Sequence, residues 1–233
     1  DWLGSNGEMT KVEGGYLVNA KKAFASQSAT GNILVTSAPY ENERGERKVL
    51  DFGVPFKTEG LSLLDDWHVM GMRATGSQTV VLKDVFVPDS AIALERPQDE
   101  FHNVWNIVIT VAMPLIMSAY IGIAERAREI AINFAKNNTS NQGHMPYVLG
   151  KLDNAFLSAK VQWKAMYERT DELEFSPSKQ LSSEILSLKT NVSEACIDTV
   201  KYAMELIGGG SYYSKNELER LFRDVQASEF HPL

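Results

Sequence analysis

Histidine is the residue type best suited to proton transfer at neutral pH, because an imidazole has an ordinary pKa near 6.5, and His231 is one of the four histidines of this sequence. The other histidines are His68, His102 and His144, and the chain has one cysteine, Cys196. Their spacing does not indicate a metal site, and a single cysteine excludes an internal disulfide. We therefore predict no metal. The alternative for His231 is a loop residue without a chemical role.

An aromatic residue and a hydroxyl residue stand two positions apart in the run from Val18 to Gln27, at Phe24 and Ser26. Residues two apart in a strand share a face, so both side chains could meet one planar ligand. The alternative is a core phenylalanine beside a surface serine. A run of three glycines, Gly208-Gly209-Gly210, by itself predicts a flexible end of a helix.

The elements before about residue 92 have the pattern of β-structure. Short strands are predicted at Lys11–Val18 and Ile33–Ser37, and longer ones at Arg47–Phe56 and Thr79–Val87. The apolar residues of the last strand do not keep one face. A bulge near Lys83-Asp84 would restore their alternation.

After Pro97 the pattern changes to long helices, predicted at about 103–138, 147–174 and 215–227. A further helix is predicted to begin at a Ser176-Pro177 cap and to end at the three glycines. Pro114 should kink the first helix or begin a new segment. Long antiparallel helices with short connections form an up-and-down bundle. The predicted fold class is α+β, with a partial β-barrel or sandwich domain at 1–97 followed by a four-helix bundle domain at 98–233.

The composition is that of a soluble globular protein, and the net charge of −7 over 233 residues argues against a nucleic-acid partner. The uncharged run Asn103–Ala124 reaches the length of about 20 residues that a membrane span needs. Polar residues interrupt it, and a charged amphipathic stretch follows, so we predict a buried bundle helix and no membrane. The single cysteine agrees with a reducing compartment, and we predict a cytoplasmic protein. Both ends resemble cuts, so we expect a fragment.

The run Trp67–Pro88 contains a Gly-x-Arg-x-Thr stretch at Gly71–Thr75 and then the sequence Asp-Val-Phe-Val-Pro. It resembles the end of the middle β-domain in acyl-CoA dehydrogenases and related flavin-dependent enzymes. The resemblance covers nearly all of the chain and implies the remainder of a middle β-domain followed by the C-terminal helical domain. It also implies a flavin, assembly as a homo-dimer or homo-tetramer, and a missing N-terminal domain, without which we expect the fragment to be inactive.

The resemblance implies four cofactor-binding residues. Phe24 would stack near the flavin ring and Ser26 would bond its reactive nitrogen. Gly208 and Gly209 would approach the adenylate half across a subunit interface, where glycine leaves room for a ligand. The expected flavin is FAD. FMN is possible, because the arginine that contacts the diphosphate is absent between the first two bundle helices.

The chain departs from the family where the catalyst is expected. The carboxylate that removes the α-proton of an acyl-CoA falls at Pro232, and a second base position falls near Ala112, which is not acidic either. Met113 stands where an arginine usually precedes Pro114. Related two-component flavin monooxygenases place a histidine at His231, which could deprotonate a hydroxyl substrate or hydrogen-bond a flavin hydroperoxide.

These observations predict a flavin-dependent oxidoreductase that has diverged towards monooxygenase-like chemistry on a small-molecule substrate, with a flavin reductase as a possible partner. One alternative is an acyl-CoA dehydrogenase whose base lies elsewhere. The other is a non-catalytic oligomerising scaffold. Arg223 and Asp224 are predicted to form a structural ion pair with each other.

Overall fold

The computed structural model describes residues 2–138 and 143–231, which form two compact units. The first unit contains the residues up to Val69 together with Arg73–His102. The second contains Met70–Met72 and the residues from Asn103 onward. The short segment Met70–Met72 thus belongs with the helices, although it lies within the β-rich part of the sequence.

The first unit consists of two antiparallel sheets. One has the strand order β1-β2-β6-β5 and the other β3-β4-β7. The strands are β1 (Glu8–Val12), β2 (Gly15–Lys22), β3 (Ile33–Glu41), β4 (Arg47–Pro55), β5 (Leu61–Leu63), β6 (Val80–Pro88) and β7 (Ile92–Pro97). Apolar residues of both sheets form one core, as in a sandwich: Val18, Leu82 and Val85 come from the first, Leu50 and Phe52 from the second. Neither sheet closes into a barrel.

The predicted bulge at Lys83-Asp84 is present in β6. In the pairing with β2, Val85 lies opposite Val18 and Leu82 opposite Ala20, so two residues of β6 face the single residue Asn19. Asp84 takes a left-handed backbone with φ of 50°, and Asn19 exchanges two hydrogen bonds of 3.0 Å with it. The extra residue lets Leu82 and Val85 both reach the core.

The prediction of a strand at Lys11–Val18 was wrong, because a β1–β2 hairpin turns at Glu13-Gly14 inside it. Gly14 has φ of 77°, a conformation that glycine adopts without steric cost. The strands β5 and β7 were not predicted from the sequence.

The second unit is a bundle of α1 (Val104–Asn137), α2 (Met145–Glu168), α3 (Lys179–Ile207) and the short α4 (Glu217–Val225). The predicted cap of α3 was misplaced, since Ser178 is the cap residue and its Oγ accepts a hydrogen bond of 3.1 Å from the Leu181 amide. The helix α2 ends earlier than predicted, because residues 171–173 have positive φ. The Gly208 terminus of α3 is as predicted.

The helix α1 runs continuously through Pro114, which excludes the predicted alternative that this proline begins a new segment. The Nε1 of Trp163 on α2 donates a hydrogen bond of 2.8 Å to the Pro114 carbonyl. Of the described residues, only α1 forms a helix long and apolar enough to cross a membrane. Its residues Ile109, Met113 and Met117 are buried among the other helices, as the prediction of a bundle helix requires.

Candidate active site

The turn after β2 holds both residues that were predicted to contact a flavin ring. The expectation that they lie in a strand was wrong, because β2 ends at Lys22 and Phe24 has a left-handed backbone with φ of 58°. Phe24 is nevertheless 70% exposed, and its ring stands at 90° to that of Trp67, with 5.9 Å between their centroids. A strained backbone that presents a large aromatic ring to solvent is unusual for a core residue.

The hydroxyl of the exposed Ser26 is one of three neighbouring hydroxyls that connect the turn after β2 to the loop that contains Thr75 and Ser77. Its Oγ lies 3.0 Å from Oγ of Ser77, which lies 2.7 Å from Oγ1 of Thr75. The Gln27 amide donates to the Thr75 carbonyl over 2.8 Å. Phe24 and Ser26 are therefore presented together on one fixed turn.

The Gly-x-Arg-x-Thr stretch, Gly71–Thr75, stabilises the turn in which it lies. Arg73 donates from Nε to the Val69 carbonyl over 2.8 Å, and Arg73–Thr75 forms one turn of 3-10 helix. In the first unit, Arg73 and Thr75 thus form hydrogen bonds within these loops.

The preceding residues, Met70–Met72, lie directly on α4. A Cβ added to Gly71 would lie 2.1 Å from the Arg223 carbonyl oxygen, so only glycine allows this approach. The Met72 amide donates to Oδ1 of Asp224, and Arg223 donates from one terminal nitrogen to the Met70 carbonyl, each over 2.6 Å.

The prediction that Arg223 and Asp224 pair with each other was wrong. Arg223 forms its ion pair with Glu219, one helical turn earlier, over 2.6 Å. Asp224 instead lies 3.6 Å from Arg220. Both side chains hold α4 and the segment Met70–Met72 in place.

The glycine run follows the end of α3. Gly208 has φ of 71°, and its amide donates to the Met204 carbonyl. Both Gly208 and Gly209 are exposed, and a Cβ added at either would meet no atom within 4 Å. No atom of the chain packs against these two positions, whereas the backbone of Gly208, with φ of 71° and ψ of −153°, itself favours glycine. The exposed backbone of both residues is open to a ligand or a partner.

His231 lies against the helical bundle. Its Nδ1 is 3.2 Å from the hydroxyl of Tyr120 on α1, and the two rings meet edge to face with centroids 6.3 Å apart. The segment before it is fixed by Lys189 of α3, whose Nζ donates to the Glu229 carbonyl over 3.1 Å. The carboxylate position that the family resemblance implies, Pro232, lies outside the described residues.

The surroundings of His231 favour its neutral form. Although His231 is exposed as a residue, partial desolvation of its ring lowers its pKa, and the positive charge of Lys189 lowers it further. Burial raises the pKa of Tyr120 to about 12, and the negative charge of Asp224 acts in the same direction. The pair therefore consists of a neutral phenol and a largely neutral imidazole at neutral pH.

Within the second unit, the glycine pair and His231 lie far apart. Lys189 lies in α3, 19 positions before the C-cap residue Gly208, which corresponds to about 28 Å at 1.5 Å per residue. Met113, at the position where the family usually has arginine, is 1% exposed and packs in the core.

Two residues of this site, Tyr120 and Lys189, were missed by the sequence analysis. Each carried a signal. Tyr120 is a tyrosine inside an uncharged helical run, where a buried hydroxyl must find a partner. Lys189 stands between Ile185 and Val192 on the apolar face of α3, where a lysine is exceptional.

Comparison with known proteins identifies the family of this chain. Residues 108–231, more than half of the chain, match the family model described as acyl-CoA dehydrogenase, C-terminal domain. The chain belongs to the acyl-CoA dehydrogenase family. The resemblance predicted from Trp67–Pro88 is confirmed, and so is the α+β fold class.

Curated members of the family match the chain beyond the helical domain. A putative acyl-CoA dehydrogenase, YdbM of Bacillus subtilis, is 28% identical over 95% of the chain and 58% of its own length. The amino sugar nitrososynthase DnmZ of Streptomyces peucetius is 26% identical over 95% of the chain and 56% of its own length. The chain thus spans a little over half the length of these two relatives.

Solved structures of the acyl-CoA dehydrogenase fold superpose closely on the chain. A nitrososynthase from Micromonospora carbonacea var. africana gives a TM-score of 0.89 at 24% identity, over 98% of this chain and 61% of the other. KijD3, solved with FMN and a dTDP-linked amino sugar, gives 0.87 at 23% identity, over 97% of this chain and 58% of the other. At these identities the likeness establishes the fold.

Proposed function

We propose that the protein is a flavin-dependent monooxygenase with the acyl-CoA dehydrogenase fold, acting on a small molecule through His231. The single observation that carries this proposal is the His231–Tyr120 pair. At the catalytic end of the family's helical domain, the described residues include an exposed, neutral imidazole whose Nδ1 lies 3.2 Å from the hydroxyl of a buried phenol. A dehydrogenase needs a carboxylate base there.

The carboxylate of Asp224 near His231 supports the same proposal, because it has another hydrogen-bond partner. Asp224 accepts a hydrogen bond from the Met72 amide and is only slightly exposed. Removal of a proton next to a thioester requires a base positioned within hydrogen-bonding distance. Neither Pro232 nor Ala112 can supply one, since neither side chain ionises.

The residues present fit a flavin. Phe24 offers an exposed aromatic face beside the Ser26 hydroxyl on one turn, and Gly208 and Gly209 offer open backbone. We assign ring contacts to the first pair and contacts with the nucleotide or phosphate part to the second. A bound reduced flavin supplies two electrons, so that one atom of O₂ enters the substrate and the other leaves as water. FAD is the proposed cofactor and FMN the alternative; KijD3 is a relative that was solved with FMN.

The proposal includes assembly through the helical bundle as a homo-dimer or homo-tetramer. Apolar side chains on α1 and α2 remain exposed in the single chain, among them Leu115 at 65%, Leu157 at 61% and Val161 at 57%. The separation of about 28 Å along α3 between Lys189 and Gly208 would place His231 and the glycine pair of one chain at different flavins or at different ends of one flavin. A flavin reductase is the proposed electron donor. A soluble, cytoplasmic protein is also part of the proposal, with α1 packed in the bundle through residues such as Ile109 and Met117.

The substrate class is proposed from chemistry that a histidine can assist. A phenol or an amine is an electron-rich acceptor of oxygen, and two relatives are named amino sugar nitrososynthases. We therefore propose that the substrate is a small molecule that carries one of these groups.

The decisive experiment uses the natural full-length protein, first in a visible-absorption titration with FAD and with FMN. Binding of neither flavin would favour the scaffold alternative. The flavin-loaded protein is then mixed anaerobically with acyl-CoA thioesters of several chain lengths. We expect the flavin to stay oxidised, whereas bleaching by any acyl-CoA would establish dehydrogenation and contradict the proposal.

A further inference from the structure

The hydroxyl of Tyr120 has a restricted choice of hydrogen-bond partners. Tyr120 is 1% exposed and lies on the buried face of α1, one helical turn after Met117. Over residues 2–138 and 143–231, the only hydrogen bond of its hydroxyl is the one to Nδ1 of His231, at 3.2 Å. The direction of this bond therefore decides whether the phenol hydrogen has an acceptor.

The hydrogen bond between Tyr120 and His231 can run in either direction, and the two directions differ in which donors and acceptors are satisfied. If Nδ1 carried a hydrogen and donated to Tyr120, the buried phenol hydrogen would have no acceptor among the described residues. An unsatisfied buried donor costs about 1–3 kcal/mol. If Tyr120 donates to the lone pair of Nδ1, both groups are satisfied. The second arrangement avoids that cost. In it the phenol donates to the imidazole nitrogen, which is a more basic acceptor than the phenol oxygen.

A neutral imidazole carries one hydrogen, and the hydrogen bond at one nitrogen determines which nitrogen bears it. When Nδ1 accepts from Tyr120, the hydrogen of the neutral ring is on Nε2. We infer that Tyr120 is a positioning residue that holds His231 as the Nε2–H tautomer, so that His231 offers a hydrogen-bond donor to the ligand and not a base.

The charged groups around this pair are compatible with the arrangement. Lys189 approaches from α3 and Asp224 from α4, while Glu229 lies on the segment that leads to His231. The positive charge of Lys189 disfavours a second proton on the ring, and the negative charge of Asp224 keeps the phenol protonated. The neutral imidazole and the neutral phenol are thus the forms that share the bond.

The Nε2–H tautomer of His231 has a chemical consequence, which rests on the proposed function. An Nε2–H group cannot take a proton from a substrate hydroxyl or amine. It can donate a hydrogen bond to an electron-rich oxygen of the ligand and stabilise negative charge that develops there. Of the two roles considered for His231, the structure therefore assigns hydrogen-bond donation.

The test is a measurement of the tautomer that does not depend on turnover. The natural full-length protein is labelled with ¹⁵N-histidine, and long-range proton–nitrogen correlations are recorded above the pKa of His231. The signal is assigned by its loss in His231→Gln. We expect the Nε2–H pattern in the wild type and a mixture of tautomers in Tyr120→Phe. An Nδ1–H pattern in the wild type, or an unchanged pattern in Tyr120→Phe, would overturn the inference.

The matched control is Tyr167→Phe, which removes a hydroxyl from a tyrosine of α2 that is 58% exposed. It should leave the His231 spectrum unchanged. Should Tyr120→Phe fail to fold, the wild-type spectrum still decides the tautomer. An Nε2–H signal in a protein without oxygenase turnover would uphold the tautomer and refute only the proposed function.

A second measurement compares His231→Gln with His231→Ala in the oxygenase assay. The glutamine amide places an N–H donor close to the position of Nε2 but has no basicity. We expect His231→Ala to lose about 100-fold in kcat, the usual effect of removing one such donor, and His231→Gln to lose clearly less. Equal losses would show that basicity is required and would contradict hydrogen-bond donation.

Discussion

The substitution Gly71→Ala tests whether the segment Met70–Met72 is held on α4 as the structure shows. The added Cβ would lie 2.1 Å from the Arg223 carbonyl oxygen and 2.4 Å from its carbon. Both atoms belong to helix backbone and cannot move aside cheaply. The segment must therefore lift from α4 and weaken two hydrogen bonds, Met72 to Asp224 and Arg223 to Met70.

The expected cost follows from these bonds. A hydrogen bond that involves a charged partner contributes about 1.5–3 kcal/mol when buried, and the bond from the Met72 amide to Asp224 is partly buried. Gly71→Ala should then destabilise the protein by about 2–3 kcal/mol, or lower Tm by about 4–12 °C for a protein of this size.

Thermal unfolding followed by far-ultraviolet circular dichroism measures the effect. The control is Gly150→Ala in α2, where a Cβ meets no atom within 4 Å. This substitution should be neutral or stabilise by up to about 1 kcal/mol, because alanine favours a helix more than glycine does. A Gly71→Ala variant as stable as the wild type would refute the close approach to α4.

Three further predictions concern single residues. Cys196 is buried, which raises the pKa of its thiol to about 12; a thiol reagent at neutral pH should label it only after unfolding, and rapid labelling of the native protein would contradict its burial. Lys189→Met removes a positive charge that opposes protonation of His231, so the pKa of His231 measured by NMR should rise, and a fall would contradict the assignment. Phe24→Ala should change stability by less than about 0.5 kcal/mol because the ring is exposed, yet should weaken flavin binding about 2–10-fold through loss of an aromatic contact; unchanged binding would remove Phe24 from the flavin site.

The lowered pKa of His231 determines in which direction the stability of the protein changes with pH. Its folded pKa lies below the ordinary value near 6.5, so the unfolded chain binds more protons as the pH falls through that range. The free energy of unfolding therefore decreases on acidification below about pH 6.5. The variant His231→Gln should show a shallower decrease than the wild type in denaturant titrations between about pH 7 and pH 5.

Local patterns were sufficient for much of the fold. The broken alternation of Thr79–Val87 located the bulge at Lys83-Asp84, since only an extra residue brings Leu82 and Val85 to one core. The ends of elements were harder to predict. Ser176 and Ser178 both precede a helical pattern, and only the bond from the Leu181 amide to Ser178 shows which one is the cap.

The candidate site was predictable only in part, because its decisive contact is distant in the sequence. His231 and Tyr120 are 111 residues apart, and helical periodicity shows that Tyr120 faces the bundle but not which residue returns to meet it. The turn at Phe24 was missed for a different reason. It uses a left-handed backbone at a phenylalanine, where glycine or asparagine would have marked the turn.

The most direct test of the proposed function is the fate of molecular oxygen. The natural full-length protein, loaded with reduced flavin, is mixed with ¹⁸O₂ and a panel of small phenols and amines, and the products are analysed by mass spectrometry. We expect a product that contains one ¹⁸O atom and whose formation is greatly reduced in His231→Ala. The absence of ¹⁸O from every product, together with bleaching of the oxidised flavin by an acyl-CoA, would contradict this expectation.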